Sequence, residues 1–408
     1  MQDYSKGINW GESLIMRKVS MFTLALLPIL GWYAIPFPVA LGYAIMLLLM
    51  TIIIFRSMFK VNVLPTPFLL VFLYVSFTWI YHHNYELWTL IPTGGWIFFI
   101  FVLSLLGGIL SFDIELLKKY MRWVVQISVI LFWIQLFFVL TTGTPKFCCV
   151  PPITSSFTYE GLSYSELVSL HLSGGHPCSI FLEKSYMAYY LITYLSLEWF
   201  SCENRNKWLT KWVFLTFITL VALRSGSGIV GASILLLGKV ITILSNASLS
   251  RRIKTILCVF PVLLMLFFVY IRSEIGQSML SRSEEFTTEN SSGFARVVGG
   301  YLMFQQLSDE EQIVGISDAQ DRFSVQKADG TTRFYINGVQ TILITLGYIG
   351  AILFLIFYTY LFLKVGIMSR MCILILLSMS LLESNYLNPY MILLTIIPCA
   401  DFYLSKHK

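Results

Sequence analysis

Residues 272–333 read RSEIGQSMLSRSEEFTTENSSGFARVVGGYLMFQQLSDEEQIVGISDAQDRFSVQKADGTTR, and long apolar runs flank them on both sides. This is the longest part of the chain without a segment apolar enough for a membrane. Ten of its residues are Asp or Glu, and its basic residues are Arg272, Arg282, Arg296, Arg322, Lys327 and Arg333. A connection of this length is usually either functional or disordered.

An apolar pattern inside this stretch favours order. From Phe294 the apolar residues recur at helical spacing, which predicts one buried face made of Phe294, Val297, Val298, Tyr301 and Leu302. Ser291 and Ser292 precede this run, where a helix N-cap is expected, and Arg296 lies off the apolar face. The pair Gly299-Gly300 weakens a helix, so it indicates a kink or the close approach of a bulky group.

The composition places the chain in a membrane. Of its 408 residues, 57% are hydrophobic and only 12% are charged, and the mean hydropathy is +0.75. A soluble protein carries about 25% charged residues. We therefore predict an all-α polytopic integral membrane protein, and the net charge of +6 is no argument for nucleic acid. Metal-ligand spacings such as C-x-x-C are missing from the sequence, so we expect no metal and no cofactor.

Twelve apolar segments have the length of about 20 residues that a bilayer core requires. They lie near 15–34, 36–55, 64–81, 91–112, 121–142, 180–200, 208–224, 226–245, 254–271, 336–363, 370–384 and 389–405. The predicted organisation is nine spans in residues 1–271, including a loop at about 143–179, then a large loop at 272–335 that contains short helices, and three spans in residues 336–408.

The basic residues orient these spans. With the N-terminus inside, 19 of the 28 Lys and Arg residues fall on the inner side. Inner loops of membrane proteins carry this excess, so both termini are predicted to be cytoplasmic and the two long loops to lie outside. Cys148, Cys149 and Cys178 then share one outer loop, where a disulfide is an option whose connectivity the sequence leaves open.

Arg224 stands in the short connection Ala222-Leu223-Arg224-Ser225-Gly226-Ser227-Gly228. The small residues predict a tight turn, after which the next helix begins with its positive dipole end exposed. Such a helix end suits a phosphate, which an adjacent guanidinium would bind through two hydrogen bonds. The alternative is an Arg that reaches toward lipid headgroups, beside a turn that only reverses the chain.

Glu183 stands at the outer start of the sixth span, where a carboxylate is costly and is usually paired or functional. The alternative is an interfacial Glu exposed to water. Arg282 and Arg296 lie in the large loop, which is net acidic and therefore attracts no anion in general. Any anion binding there depends on specific Arg residues, and surface salt bridges are the alternative role of each.

Several of these features together resemble the O-antigen polymerase family (Wzy-type), within a broader group of membrane glycosyltransferases that includes the O-antigen ligases. The stretch SIFLEKSYMAYY at 179–190 is similar to the family's S-x-F-x-E-P-S-x-x-A-x-Y motif, and SGSG at 225–228 to its S-x-S-x-G turn. The late-loop S-G-x-x-R motif has a counterpart in SGFAR at 292–296. A fourth similarity, to an H-N segment before a Gly-containing span, rests on Asn337, Gly347 and Gly350.

The chain also departs from the family's pattern. Lys184 replaces the usual Pro, and His176 stands about where an Arg often precedes the Glu motif. No His precedes Asn337, although ligases of the group keep one there, and this favours a polymerase over a ligase.

The resemblance implies a GT-C-like enzyme of the bacterial inner membrane that joins undecaprenyl-diphosphate-linked oligosaccharide repeat units on the periplasmic side. It implies a catalytic role for Glu183 and Arg296 and a diphosphate site formed by Arg224, Arg282, Arg296, Ser225 and Ser227, with His176 and Asn337 as further candidates. The implied partners are the lipid-linked glycan, the bilayer, and a chain-length regulator and flippase of the same pathway. The alternatives are an O-antigen ligase, which transfers glycan to lipid A-core, and a repeat-unit flippase.

The topology is tested by cysteine labelling in sealed cells. The Lys and Arg asymmetry predicts that Asp309→Cys and Thr158→Cys react with a membrane-impermeant thiol reagent from outside, whereas Arg252→Cys does not. Labelling of all three variants from the same side would contradict the twelve-span arrangement.

Overall fold

The computed structural model of this chain is mostly helical. It describes residues 14–35, 40–56, 66–82, 112–158, 162–174, 177–201, 210–245, 272, 277, 298–316, 325–326, 332–333, 336–383 and 388–406. The helices in these ranges are α1 (Leu14–Leu30), α2 (Leu41–Arg56), α3 (Thr66–Tyr81), α4 (Ile114–Thr142), α5 (Tyr164–Ser173), α6 (Lys184–Trp199), α7 (Lys211–Ala222), α8 (Gly226–Ser245), α9 (Gly300–Gln305), α10 (Asp309–Val314), α11 (Gly338–Lys364), α12 (Ile367–Leu382) and α13 (Pro389–Lys406). Two short strands, β1 (Val325–Gln326) and β2 (Thr332–Arg333), pair antiparallel.

Ten of the twelve predicted spans coincide with helices, and the other two, at 91–112 and 254–271, lie outside the described residues. The largest difference is the start of α4, which begins at Ile114 and not at 121. Asp113 caps this helix, because its carboxylate accepts a hydrogen bond of 2.9 Å from the backbone N–H of Leu116. A polar first turn therefore precedes the apolar span.

Three helices are long and apolar enough to cross a membrane: Ile114–Thr142, Gly226–Ser245 and Gly338–Lys364. Their outward faces carry large aliphatic side chains that a water-soluble protein would bury. Leu140 is 76% exposed, Leu363 67% and Leu237 62%. Exposed apolar surface of this extent marks a membrane or partner surface, so the chain is membrane-associated.

The ends of the described spans form two groups. At one end Gly31, after α1, lies against Pro389, and the N–H of Gly338 donates to the carbonyl of Glu383 at 2.9 Å. We call this the loop end, because Tyr81 of α3 also donates a hydrogen bond there to Glu310 of the large loop. At the opposite end the N–H of Gly366 donates to Asp401 at 2.9 Å. Residues 14 and 406 both lie at this opposite end.

Helix α6 is deeply enclosed, since every residue from Met187 to Trp199 is buried. Its apolar residues fall on all sides of the helix, as a central helix requires. The hydroxyls of Thr193 and Ser196 donate to carbonyls of their own helix, Thr193 to Tyr189 at 2.8 Å and Ser196 to Thr193 at 2.7 Å. The helix therefore holds its N-terminal residues, including Glu183, at a fixed place at the loop end.

Helix α11 is broken at Gly347, whose φ is +64°. The break is filled by the chain that follows α10. The N–H of Ile316 donates to the carbonyl of Ile344 at 3.0 Å, and the hydroxyl of Tyr74 donates to the carbonyls of Leu346 at 3.1 Å and Val314 at 3.0 Å. Backbone groups at membrane depth need such internal partners. The break therefore anchors this part of the large loop to α11.

The large loop contains short helices, as predicted, but the predicted apolar face is wrong in its described part. Tyr301 and Leu302 are exposed, whereas Gly300 and Phe304 are buried against α11. An ideal Cβ at Gly300 would lie 2.5 Å from Oε1 of Gln340. The glycine pair thus marks a close approach, and packing on α11 outweighs the hydrophobic periodicity. The predicted cap at residues 291–292 lies outside the described residues.

The contact at Gly347 is tested by substitution with Ala, and Gly143 is a matched control. Both glycines have a positive φ, but the space around Gly143 is empty, whereas a Cβ at Gly347 would overlap the carbonyl oxygen of Ile313. Gly143→Ala should cost about 1 kcal/mol of stability for its backbone conformation alone. Gly347→Ala should cost about 2 kcal/mol more, since its φ of 64° with a ψ of −170° suits only glycine and the packed loop must also move.

The measurement is the thermal midpoint of the purified protein in detergent, followed by tryptophan fluorescence. Equal midpoints for the two variants would show that the loop does not press on α11 at this position.

Candidate functional site

Glu183 lies at the loop end, as the residue before the first turn of α6. Its backbone is extended, and its side chain accepts a hydrogen bond of 3.0 Å from the hydroxyl of Ser185. The side chain does not cap the helix, and the residue is half-buried. The carboxylate therefore lies at this end of the bundle without serving as the cap of its own helix.

The turn between α7 and α8 is tight, as the small residues predict. Arg224 has a φ of +51° and is exposed, and α8 begins at Gly226. The hydroxyls of Ser225 and Ser227 are buried and 3.0 Å apart, in a hydrogen bond with each other. Their role as diphosphate ligands stays a prediction. Both serine side chains are buried, so the side chain that this turn exposes is that of Arg224.

The Glu183 segment and the Ser225–Gly228 turn are neighbours. An ideal Cβ at Gly228 would lie 3.2 Å from Cβ of Ala188, one turn into α6. Farther down the same pair of helices, Gly231 of α8 packs against Ile192 of α6. Glycines at these positions let the two helices approach closely, and the approach brings a carboxylate and an arginine-bearing turn to one end of the bundle.

Asn337 serves as the N-cap of α11. Its Oδ1 accepts a hydrogen bond of 2.8 Å from the N–H of Gln340, and its own N–H donates to Oε1 of Gln340 at 3.0 Å. Its Nδ2 donates to the carbonyl of Leu381 at 3.2 Å, which joins α11 to the end of α12. Asn337 is buried, so its described contacts are those of a structural joint.

The other predicted site residues fall on parts of the chain that the structure does not describe. Arg282, Arg296 and His176 lie outside the described residues, and of Arg333 only the strand position is described. Four residues after Arg296, Gly300 packs on Gln340 beside the Asn337 joint. The chain that carries Arg296 therefore enters the described structure at the loop end.

A cluster that the sequence did not reveal lies beside the Glu183 segment. Sγ of Cys148 is 3.4 Å and Sγ of Cys178 is 3.6 Å from Nδ1 of His171, and Nε2 of His171 is 2.7 Å from the carbonyl oxygen of Leu182. Because a carbonyl only accepts, Nε2 carries the proton and Nδ1 is an acceptor. Burial lowers the pKa of His171, which keeps the ring neutral.

No local spacing could have indicated this cluster, because its members come from separate loop segments and from α5. The sequence had shown only that the cysteines share a loop. The convergence on His171 depends on how α5 folds back, which follows from the capping box that Ser163 and Glu166 form at its start.

Charged residues are also buried toward the opposite end of the bundle. Lys239, which the charge count placed among the cytoplasmic residues, is fully buried, and its Nζ donates to the carbonyl of Trp199 at 2.7 Å. Arg122 forms a salt bridge of 2.8 Å with the buried Glu198. These groups link helices at the end away from Glu183, so they belong to the scaffold.

Within the described ranges, no group of three or more His, Cys, Asp or Glu side chains is arranged to hold a metal ion. No family model, curated protein or solved structure matches this chain. The interpretation of the site therefore rests on its own geometry.

The structural role of Asn337 predicts which substitutions it tolerates. Asn337→Ser keeps a capping oxygen but loses the bond from Nδ2 to the carbonyl of Leu381, so it should be less stable than the wild type. Asn337→Ala also loses the cap and should cost about 1 kcal/mol of stability more. Thr210→Ala is the matched control, because Thr210 caps α7 at the opposite end by accepting from the N–H of Val213.

The thermal midpoint is measured for all three variants. If Asn337→Ala has the midpoint of the wild type, then Asn337 does not act as a structural cap.

Proposed function

We propose that this protein is an O-antigen polymerase, a glycosyltransferase that joins undecaprenyl-diphosphate-linked oligosaccharide repeat units. In this proposal twelve spans form a GT-C-like arrangement in the bacterial inner membrane, with both termini in the cytoplasm. The loop end faces the periplasm, where the lipid-linked repeat units meet.

The contact between Gly228 and Ala188 is the observation that supports this proposal best. It brings two of the motifs that resemble the polymerase family, the Glu183 segment and the Ser225–Gly228 turn, to the same end of the bundle. The loop helix α9, which follows the SGFAR motif, packs at that end too. A soluble substrate pocket is not needed, because the lipid carrier presents its diphosphate at the height of the membrane surface.

The arginines would stabilise the leaving group. The acceptor hydroxyl attacks the anomeric carbon of the donor glycan, and the bond from that carbon to the diphosphate oxygen breaks. Negative charge then develops on the diphosphate, where guanidinium groups lower the energy of the transition state more than that of the bound substrate. Arg224 would contribute from the turn before α8, and Arg282 and Arg296 from the large loop.

Glu183 would take the proton of the acceptor hydroxyl. A general base has to reach that proton within hydrogen-bond distance, and a half-buried carboxylate at the loop end is in a suitable place. Its carboxylate accepts a hydrogen bond from the hydroxyl of Ser185, which helps to hold it at this end of the bundle. No step in this scheme needs a metal ion.

The alternatives differ in substrate and in location of the chemistry. A ligase would use the same donor but transfer the glycan to lipid A-core. A flippase would need polar groups near the bilayer midplane. The buried charged groups that the structure describes, such as Lys239 and Glu198, bind neighbouring helices toward the end opposite Glu183. A chain-length regulator and a flippase would act with the polymerase as separate proteins.

The test is the lipopolysaccharide of a strain that lacks this protein. One repeat unit on the core indicates a lost polymerase, and no repeat unit indicates a lost ligase or flippase. Complementation then tests the site. Arg224→Lys, Arg282→Lys and Arg296→Lys should each shorten the polymer sharply, because Lys cannot form the bidentate contact. Loss of one such contact costs roughly 3 kcal/mol, or on the order of a hundredfold in rate.

Arg322→Lys and Arg333→Lys are the matched controls, since both residues carry the same charge in the same loop outside the motifs. Polymer length is compared at equal membrane abundance of all five variants. Equal failure of the controls, or full polymerisation by the three site variants, would refute this assignment of the site.

A further inference from the structure

Cys148 and Cys178 lie on either side of one imidazole, although 30 positions separate them in the chain. Because both sulfurs contact Nδ1 of His171, they are no farther apart than the sum of those two distances. Cys178 is buried and Cys148 half-buried. The two sulfurs therefore lie within 7.0 Å of each other at the same imidazole nitrogen, since 3.4 Å and 3.6 Å add to 7.0 Å.

The backbone beside both cysteines is also held together. The amide of Gln135, which is buried in α4, donates from Nε2 to the carbonyl of Phe147 at 3.1 Å. Its Oε1 accepts from the N–H of Ser179 at 2.8 Å. One side-chain amide therefore joins the residue before Cys148 to the residue after Cys178. Disulfides form between positions whose backbones are already close, and this bridge supplies that condition.

Cys149 is the less suitable partner, although it neighbours Cys148 in the sequence. Burial is the largest cause of the raised pKa of the Cys178 thiol, and the charge of Cys148 contributes more to it than that of Cys149. Of the two adjacent cysteines, only Cys148 has a described contact with His171.

We propose that Cys148 and Cys178 are oxidised to a disulfide that fastens the outer loop to the segment leading into Glu183. The inference rests on the periplasmic location of this loop in the proposed function, because dithiols are oxidised in that compartment and kept reduced in the cytoplasm. The oxidant is a disulfide-bearing thiol oxidase of the periplasm.

His171 carries the protons in this reaction. Its Nδ1 takes the proton of Cys148, whose thiolate attacks the disulfide of the oxidant and releases one thiolate, which His171 protonates. Nδ1 then takes the proton of Cys178, whose sulfur attacks the mixed disulfide at Cys148. The second thiolate of the oxidant leaves and receives this proton. The protein loses two hydrogen atoms, and the oxidant disulfide is reduced to two thiols.

The bridge would constrain the site through its neighbours. Cys178 lies five residues before Glu183, and His171 bonds to the carbonyl of Leu182 next to that carboxylate. A covalent link from Cys178 to Cys148 limits how far this segment can move away from the loop that follows α4. The disulfide would therefore hold Glu183 in position once the loop has crossed the membrane and been oxidised.

The experiment counts free thiols in the full-length protein. Membranes are first acidified, and the chain is then unfolded in detergent. Its thiols are labelled with a maleimide-linked polymer, and each label slows the migration of the band on a gel. The chain has seven Cys, so wild type should gain five labels before reduction and seven after it. Cys148→Ser and Cys178→Ser should show no change on reduction, whereas the matched control Cys149→Ser should still gain two labels.

The wild-type chain is also digested without reductant and analysed by mass spectrometry, which does not depend on whether a variant folds. A linked pair of peptides containing residues 148 and 178, lost on reduction, is expected. Seven labels before reduction, or a link through Cys149, would overturn the proposal. Neither readout uses glycan synthesis, so the two proposals can fail separately. If the protein makes normal polymer while all its thiols are free, only the disulfide is refuted. If the protein carries the disulfide but its deletion leaves the polymer unchanged, only the proposed function is refuted.

Discussion

The peptide groups around Gly347 need hydrogen-bond partners inside the protein, because hydrocarbon offers them none. The break there exposes carbonyls of Ile344 and Leu346, and both are satisfied from outside their own helix, by the Ile316 N–H and by the Tyr74 hydroxyl. This requirement explains why part of the large loop lies on the bundle. If this part of the loop moved away from α11, the carbonyl of Ile344 at the break would lose its hydrogen-bond partner.

The part of α11 before Gly347 packs as one unit with the attached part of the loop. Phe304, Leu307, Ile336 and Ile344 form a small apolar cluster away from the main core, and the Asn337 cap joins it to α12. The main core is organised instead around α6, which is buried along nearly its whole length. The loop end is therefore assembled from two parts: α6 with its packed neighbour α8, and α11 with its attached loop.

Much of the fold could be predicted because bilayer physics acts on local sequence. The position of ten helices followed from apolar length alone, and the turn at Arg224 followed from its small residues. The loop helix shows where local reasoning failed. Its periodicity selected Tyr301 and Leu302 as the buried face, yet the glycine face is buried, because Gln340 needs room and the absence of a side chain at Gly300 provides it. Periodicity indicates an apolar stripe, but it does not reveal what packs against the other faces.

By itself the sequence determined that this is a helical, membrane-associated chain with a polar loop between apolar spans, since hydropathy and charge are properties of each segment alone. It also supplied the residues that make up the candidate site. Only the tertiary structure decided that the Ser225–Gly228 turn lies against the Glu183 helix, that the Ser225 and Ser227 hydroxyls face each other, and that Cys148, His171 and Cys178 converge. The physical reason is that these contacts join residues far apart in the chain, and the packing of whole helices, not the preference of any segment, brings them together.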